Sequence, residues 1–219
     1  MIIKTIGIVG SGQMGRGIAQ SMAMVGYKVI LADISKEVLE TNVEKIVTSL
    51  RRQVKDGRIS LSSCDEALDN LKPVTKLETV AGADLIIEAV TEDEVVKTLI
   101  FESLTPYLKK DTILTSNTSS ISITRLASRT DRPEKFMGFH FMNPVPLMQL
   151  VELIRGIATN QETYDSCLSV VKKLGKTAAQ AEDFPGFIVN RVLMPMINEA
   201  IYTLFEGIGS IKSIDESMR

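Results

Sequence analysis

Residues 2–15 read IIKTIGIVGSGQMG, and this segment predicts the architecture of the chain. The apolar run up to Val9 is typical of a buried strand, and three glycines spaced Gly-x-Gly-x-x-Gly follow it. Residues 14–25 have the pattern of a helix, which Gly26 ends. A second apolar run at 28–32 completes a strand–helix–strand unit. Such a unit predicts a parallel sheet with helices on both of its faces.

Each glycine of this turn has a physical role that favours dinucleotide binding. Gly10 permits a tight turn, Gly12 lets the backbone approach a pyrophosphate, and Gly15 lets the helix pack against the sheet. The helix N-terminus offers free N–H groups and a partial positive charge to phosphates. Asp33 ends the second strand, where a carboxylate accepts hydrogen bonds from ribose hydroxyls and repels a 2′-phosphate. The pattern favours NAD over NADP; a simple glycine turn with a capping aspartate is the alternative.

The alternation of strands and helices continues along the chain. Further strands are predicted at 84–90, 112–115, 136–139 and 149–154, and further helices at 35–56, from a capping box at Ser63, at 92–108 and at 161–174. This order predicts an α/β fold, Rossmann-like and doubly wound, with a mainly parallel sheet.

The pattern changes at Phe184, where Pro185 and Gly186 interrupt it. Residues 187–205 form a strongly apolar helical stretch that contains Pro195, which should kink the helix. We therefore expect a dinucleotide-binding domain at 1–184 and an all-α domain from 185 to 219. A capping-box spacing begins at Ser213 close to the end of the chain, so we expect this helical domain to be incomplete and the chain truncated.

Composition excludes several function classes. The chain has 219 residues, of which 44% are hydrophobic, and its formal net charge is −2, so no basic excess favours nucleic acid or an acidic membrane. Cys64 and Cys167 lie far apart, which indicates reduced thiols and no metal site. The N-terminus does not resemble a signal peptide, and no apolar run is long enough to span a bilayer. We expect a cytoplasmic protein.

Four further motifs follow predicted strands, lie within one or open the last helix. They are Ser-Asn-Thr-Ser-Ser at 116–120, His-Phe-Met-Asn-Pro at 140–144, Leu-Val-Glu at 150–152 and Pro-Gly-Phe-Ile-Val-Asn-Arg at 185–191. Together with the glycine turn, this set resembles the 3-hydroxyacyl-CoA dehydrogenases, and the short-chain 3-hydroxybutyryl-CoA branch is most similar. The resemblance covers essentially the whole chain. It implies NAD-dependent interconversion of (S)-3-hydroxyacyl-CoA and 3-oxoacyl-CoA, an acyl-CoA substrate, and a homodimer once the helical domain is complete.

Oxidation of a secondary alcohol needs a base that works near neutral pH, and histidine suits this task. The chain contains one histidine, His140. The resemblance implies that Glu152 orients His140, and that Ser119 and Asn190 hydrogen-bond the substrate. Taken alone, the histidine could be structural, the glutamate a solvated strand residue, Ser119 a turn residue and Asn190 a helix cap.

The resemblance also completes the predicted cofactor site. It implies that Asn117 and Asn143 lie near the nicotinamide, and that Glu92 and Lys97 contact the cofactor from the helix after the fourth strand. The full predicted set is Gly10, Gly12, Gln13, Met14, Gly15, Asp33, Ala89, Glu92, Lys97, Asn117 and Asn143.

Two kinds of alternative remain open. The chain could be a related dehydrogenase that acts on a free β-hydroxy acid or a sugar acid, although the first class places a lysine on the long helix and residues 187–205 contain none. It could also bind NAD as a catalytically weak fragment, with apolar residues such as Met194, Ile197 and Ile201 left partly uncovered. Basic residues from Arg51 to Arg58 could meet the phosphates of coenzyme A or form an ordinary solvated face.

Overall fold

The computed structural model describes residues 2–219, which form one eight-stranded sheet with helices on both faces. The strands are β1 (Thr5–Val9), β2 (Lys28–Ala32), β3 (Leu71–Val74), β4 (Leu85–Glu88), β5 (Ile113–Ser116), β6 (Phe136–Phe141), β7 (Leu150–Arg155) and β8 (Thr177–Glu182). The helices are α1 (Gln13–Met24), α2 (Lys36–Lys55), α3 (Leu61–Asp69), α4 (Glu94–Leu104), α5 (Ile123–Ala127), α6 (Gln161–Lys173), α7 (Val189–Phe205) and α8 (Ile211–Ser217).

The strand order is β3-β2-β1-β4-β5-β6-β7-β8, and only the β6–β7 pair is antiparallel within the described residues. The chain leaves β1 toward β2 on one side and later returns to β4 on the other. This reversal opens a crevice at the carboxyl ends of β1 and β4, where doubly wound folds bind their ligands. The predicted Rossmann-like, mainly parallel architecture is confirmed.

Two apolar cores cover the two faces of the sheet. One contains Met22, Leu50 and Val170 from the helices on the α1 side, and the other contains Phe101 and Leu126 from α4 and α5. In the second core the rings of Phe101 and Phe136 meet edge to face, with centroids 4.8 Å apart. Burial of these side chains supplies the main stabilisation of the fold. The residues that follow the strands can therefore be polar.

The structure corrects the boundaries of three helices. The predicted capping boxes at Ser63 and Ser213 are wrong, because Ser60 and Ser210 cap α3 and α8 by accepting hydrogen bonds from the amides of residues 63 and 213. Each site has serines three residues apart, and the second serine supplies the amide rather than the cap. The helix after β4 begins at Glu94, capped by Asp93, so Glu92 precedes it.

Strands β3 and β8 were not predicted. Both lie at the edges of the sheet, and neither has the pattern of a buried strand, since β3 contains Pro73 and β8 reads TAAQAE. An edge strand tolerates proline and weakly β-forming residues because only one side of its backbone pairs with a neighbour.

Helix α7 carries Pro195 in its interior and has exposed apolar side chains along its length. Examples are Val192, Met194, Ile201 and Phe205, of which Phe205 is 85% exposed. The domain boundary near residue 184 stays a prediction. None of the helices within residues 2–219 has the length and apolarity that a membrane crossing requires.

Candidate active site

The turn between β1 and α1 provides a cradle for phosphate. Gly10 has φ +96°, and a Cβ there would lie 2.7 Å from the carbonyl oxygen of Ala89. A Cβ on Gly15 would overlap the carbonyl oxygen of Gly10, so α1 approaches the turn as closely as backbone permits. At Gly12, by contrast, a Cβ would meet no heavy atom of residues 2–219 within 4 Å. Gly10 and Gly15 are therefore packed against neighbouring backbone, whereas Gly12, the position predicted to face a pyrophosphate, has free space beside it.

A cavity of about 660 Å³ adjoins this turn at the crevice beside β1 and β4. Its volume is in the range of small-molecule and cofactor sites. Six residues of the predicted cofactor set line it, namely Gly10, Gly12, Gln13, Met14, Asp33 and Ala89. Gly15 does not, because it packs beneath the turn.

Asp33 is held at the edge of the cavity by donors from both sides. Its Oδ2 accepts hydrogen bonds from the amide (2.9 Å) and hydroxyl (2.7 Å) of Ser11, and its Oδ1 accepts one from the amide of Ser35 (3.1 Å). The carboxylate is thus oriented before any ribose binds. Sequence analysis missed Ser11, although its place between Gly10 and Gly12 made it a neighbour of Asp33.

The second part of the site lies where β6 and β7 pair. The antiparallel register places His140 directly opposite Glu152, and His140 Nδ1 lies 2.7 Å from Glu152 Oε2. The histidine is 5% exposed and the glutamate 0%, so the contact is shielded from water. The predicted pairing of these two side chains is therefore present in the geometry.

The other oxygen of Glu152 binds the N-terminus of α7. Oε1 accepts hydrogen bonds from the amides of Ile188 and Val189, both at 2.9 Å. Burial alone would raise the pKa of Glu152, but the hydrogen bonds from His140 and from these two amides outweigh burial and lower the pKa below its ordinary value. The carboxylate is therefore ionised at neutral pH.

This ionised carboxylate determines the tautomer of His140. A carboxylate without a proton can only accept, so the neutral imidazole keeps its hydrogen on Nδ1 and donates it to Glu152. Nε2 is then unprotonated, and it accepts from the hydroxyl of Ser119 at 3.0 Å. The arrangement presents a basic nitrogen at the carboxyl ends of β5 and β6.

The first turn of α7 completes this part of the site. Asn190 Nδ2 donates to the carbonyl oxygen of Ser119 at 3.4 Å, so all four predicted catalytic residues lie together. Phe187 has φ +50°, and its ring lies 5.8 Å from the imidazole ring. This left-handed residue turns the chain so that the next two amides face Glu152. The Pro-Gly-Phe breaker hinted at a special backbone here, but no sequence signal identified the contact.

The remaining predicted cofactor residues connect the two parts of the site. Gln13 Nε2 donates to Asn143 Oδ1 at 3.0 Å, and Asn117 Oδ1 accepts from the amide of Phe141 at 2.9 Å. Glu92 accepts hydrogen bonds from the loop that follows β5. Lys97 is only 1% exposed and does not line the cavity. Its predicted cofactor contact stays a prediction.

Comparison with known proteins places this geometry in a family. Residues 5–184 match the NAD binding domain of 3-hydroxyacyl-CoA dehydrogenase, and residues 186–219 match its C-terminal domain. The chain belongs to the 3-hydroxyacyl-CoA dehydrogenase family.

Relatives in this family match nearly the whole chain. A 3-hydroxybutyryl-CoA dehydrogenase of Bradyrhizobium diazoefficiens is 51% identical over 218 residues, which are 100% of this chain and 74% of the relative. One from Clostridioides difficile is 40% identical and covers 98% of this chain and 76% of its own length. The crystal structure of an (S)-3-hydroxybutyryl-CoA dehydrogenase from Ralstonia eutropha superposes with a TM-score of 0.96 at 43% identity, covering 99% of this chain and 77% of that one.

As a 3-hydroxyacyl-CoA dehydrogenase, the chain is an oxidoreductase whose cofactor is NAD. The open backbone at Gly12, the N-terminus of α1 and the carboxylate of Asp33 fit a pyrophosphate and an adenosine ribose. Within residues 2–219, no group of three or more His, Cys, Asp or Glu side chains could hold a metal ion.

Two glycine substitutions test the cradle. Gly12→Ala should destabilise the fold much less than Gly15→Ala, because a Cβ at Gly12 meets nothing, but it should weaken NADH binding about tenfold or more by blocking the pyrophosphate. Gly15→Ala should instead destabilise the fold by at least about 1–3 kcal/mol through overlap with backbone. Urea denaturation and NADH titration separate the two effects. Equal stability loss in both variants, with unchanged NADH affinity for Gly12→Ala, would contradict this description.

The lowered pKa of Glu152 predicts how acid affects stability. A glutamate whose native pKa lies below its ordinary value of 4.5 stabilises the fold fully above that value, and the contribution is lost as pH falls through the native pKa. The unfolding free energy of Glu152→Gln should therefore depend less on pH below about 4.5 than that of the unsubstituted chain. Urea titrations between about pH 3 and 7 measure this. Glu199→Gln, at an exposed position on α7, controls for the lost charge. Parallel pH curves for the unsubstituted chain and Glu152→Gln would rule the linkage out.

Proposed function

We propose that the chain interconverts (S)-3-hydroxyacyl-CoA and 3-oxoacyl-CoA of short acyl length, with His140 as the acid–base residue and Glu152 as its orienting partner. The observation that carries this proposal is the 2.7 Å contact between His140 Nδ1 and the buried carboxylate of Glu152, which leaves Nε2 as the nitrogen that faces Ser119. The three relatives described above, each a 3-hydroxybutyryl-CoA dehydrogenase, support the substrate class.

NAD held by the turn at Gly12 and by Asp33 would supply the hydride chemistry at C3 of the substrate. In the oxidation direction, Nε2 of His140 takes the proton of the C3 hydroxyl as the C3–H bond breaks. The imidazolium that results is stabilised by Glu152, which stays ionised. In reduction, the imidazolium gives this proton back to the carbonyl oxygen.

Ser119 and Asn190 are proposed to hold the substrate in this geometry. The hydroxyl of Ser119 donates to Nε2 here, which marks the place that a substrate hydroxyl would share. Asn190 lies in the first turn of α7, so its amide and the helix N-terminus can polarise a carbonyl oxygen. The proposed proton transfer uses only the imidazole of His140. The residues around it therefore need only position the acyl thioester.

We propose further that the C-terminal helical domain, to which α7 and α8 belong, mediates a homodimer. The exposed apolar residues of α7 and α8, among them Val192, Ile201, Phe205 and Ile211, support this association. Large exposed apolar patches are typical of interaction sites on soluble proteins.

Replacement of His140 tests the proposed reaction. Because general acid–base catalysis contributes about 10²–10⁴-fold, His140→Gln should lower the kcat of NADH-dependent acetoacetyl-CoA reduction by that factor. NADH affinity should stay within about threefold, since the imidazole lies outside the cofactor cavity. Absorbance of NADH measures both turnover and its dependence on acyl length. Comparison with free acetoacetate separates the acyl-CoA reaction from that of a free-acid dehydrogenase. Turnover by His140→Gln near that of the unsubstituted chain would refute the assignment.

A further inference from the structure

A buried ion pair lies beneath the loop that carries Ser119. Glu88 ends β4 and Lys97 lies in α4, and their side chains are 0% and 1% exposed. Lys97 Nζ lies 2.7 Å from Glu88 Oε1. Desolvation of two charges offsets most of their attraction, so such a pair contributes little to stability by itself. The pair also contacts Val90, Ser116 and Glu92, which lead toward the loop that carries Ser119.

Both oxygens of Glu88 act as acceptors. Oε1 accepts a hydrogen bond from the amide of Val90 at 2.7 Å in addition to that from Lys97. Oε2 accepts from the hydroxyl of Ser116 at 2.6 Å. All three partners donate, so an ionised carboxylate satisfies them, whereas an amide in the same place would direct an NH₂ group at one of them.

Two routes lead from Glu88 to the loop after β5. On the first route, the hydroxyl of Ser116 donates to Glu88 and also accepts from the amide of Thr118 at 3.2 Å. On the second, Lys97 Nζ lies 3.5 Å from Glu92 Oε2. The other oxygen of Glu92, Oε1, accepts from the backbone amides of Ser119 (2.9 Å) and Ser120 (3.1 Å).

The first route ends at Thr118 and the second at the adjacent Ser119, whose hydroxyl lies 3.0 Å from His140 Nε2. We propose that Glu88 is a positioning residue, which fixes Ser119 against His140 through Ser116 on one route and through Lys97 and Glu92 on the other. This inference rests on the proposed catalytic roles of Ser119 and His140. Glu88 itself touches neither residue, and the loop at 117–121 has no regular secondary structure to hold it.

The expected effect of losing this support is a loss of turnover rather than of cofactor binding. A displacement of about 1 Å in a catalytic geometry can cost about 10²-fold in rate. Glu88→Gln should therefore lower the kcat for acetoacetyl-CoA reduction by about 10–100-fold. Because Val90, whose amide binds Glu88, lines the cofactor cavity, the KM for NADH is measured beside kcat, and it should rise by less than kcat falls.

A double-mutant cycle with Ser119→Ala distinguishes positioning from a general structural role. If Glu88 acts through Ser119, then Glu88→Gln should lower kcat by less than about threefold once Ser119 is alanine. The inference is overturned if the full 10–100-fold loss persists in the Ser119→Ala background. It is also overturned if Glu88→Gln retains the turnover of the unsubstituted chain.

Ser116→Ala provides a second, milder variant that leaves the buried ion pair intact. It breaks one route, so we expect a smaller loss of kcat that again disappears in the Ser119→Ala background. If Glu88→Gln does not fold, as judged by urea denaturation, the cycle of Ser116→Ala with Ser119→Ala tests the inference alone, and additive effects on kcat overturn it.

His140→Gln in the same assay tests the proposed function separately. If His140→Gln keeps its turnover, the proposed function is wrong. If it loses turnover while the effects of Glu88→Gln and Ser119→Ala on kcat are additive, only the proposed role of Glu88 is wrong.

Discussion

The carboxylate of Glu152 is the contact on which the rest of the site depends. It is fully buried, and it binds donors from two different parts of the chain, namely His140 on β6 and the amides of Ile188 and Val189 at the start of α7. A buried charge is tolerated only when its lone pairs are satisfied, and here three N–H groups satisfy them. One anionic group therefore fixes the histidine tautomer and docks the helical segment on the sheet.

The sheet topology explains why the two parts of the site are close. The reversal of strand order between β1 and β4 creates the crevice for the cofactor, and β5 and β6 end at the same edge of the sheet. The antiparallel turn into β7 then brings Glu152 opposite His140. The hydrogen bond between Gln13 and Asn143 links the glycine turn directly to the loop after β6. A displacement of the turn would therefore also displace this loop.

Sequence reasoning predicted the glycine turn, Asp33 and the His140–Glu152 pair, because each has a local pattern or a motif that the family shares. It could not predict the amides on Glu152, since these depend on the left-handed backbone at Phe187. It also missed Glu88, which reads as the end of an apolar strand with no sign of a partner nine residues later. Edge strands depend on tertiary pairing, which a local pattern does not contain. At α3 and α8, two serines three residues apart offered alternative caps that the sequence pattern did not distinguish.

The most direct test of this account is the protonation of the ring nitrogens of His140. The chain has one histidine, so ¹⁵N-histidine labelling gives a single pair of ring signals in a two-bond ¹H–¹⁵N correlation spectrum. We predict that the neutral ring carries its proton on Nδ1 and leaves Nε2 unprotonated, and that Glu152→Gln shifts this balance. A neutral ring protonated on Nε2 in the unsubstituted chain would contradict the account, because that nitrogen could then not receive a proton from the substrate.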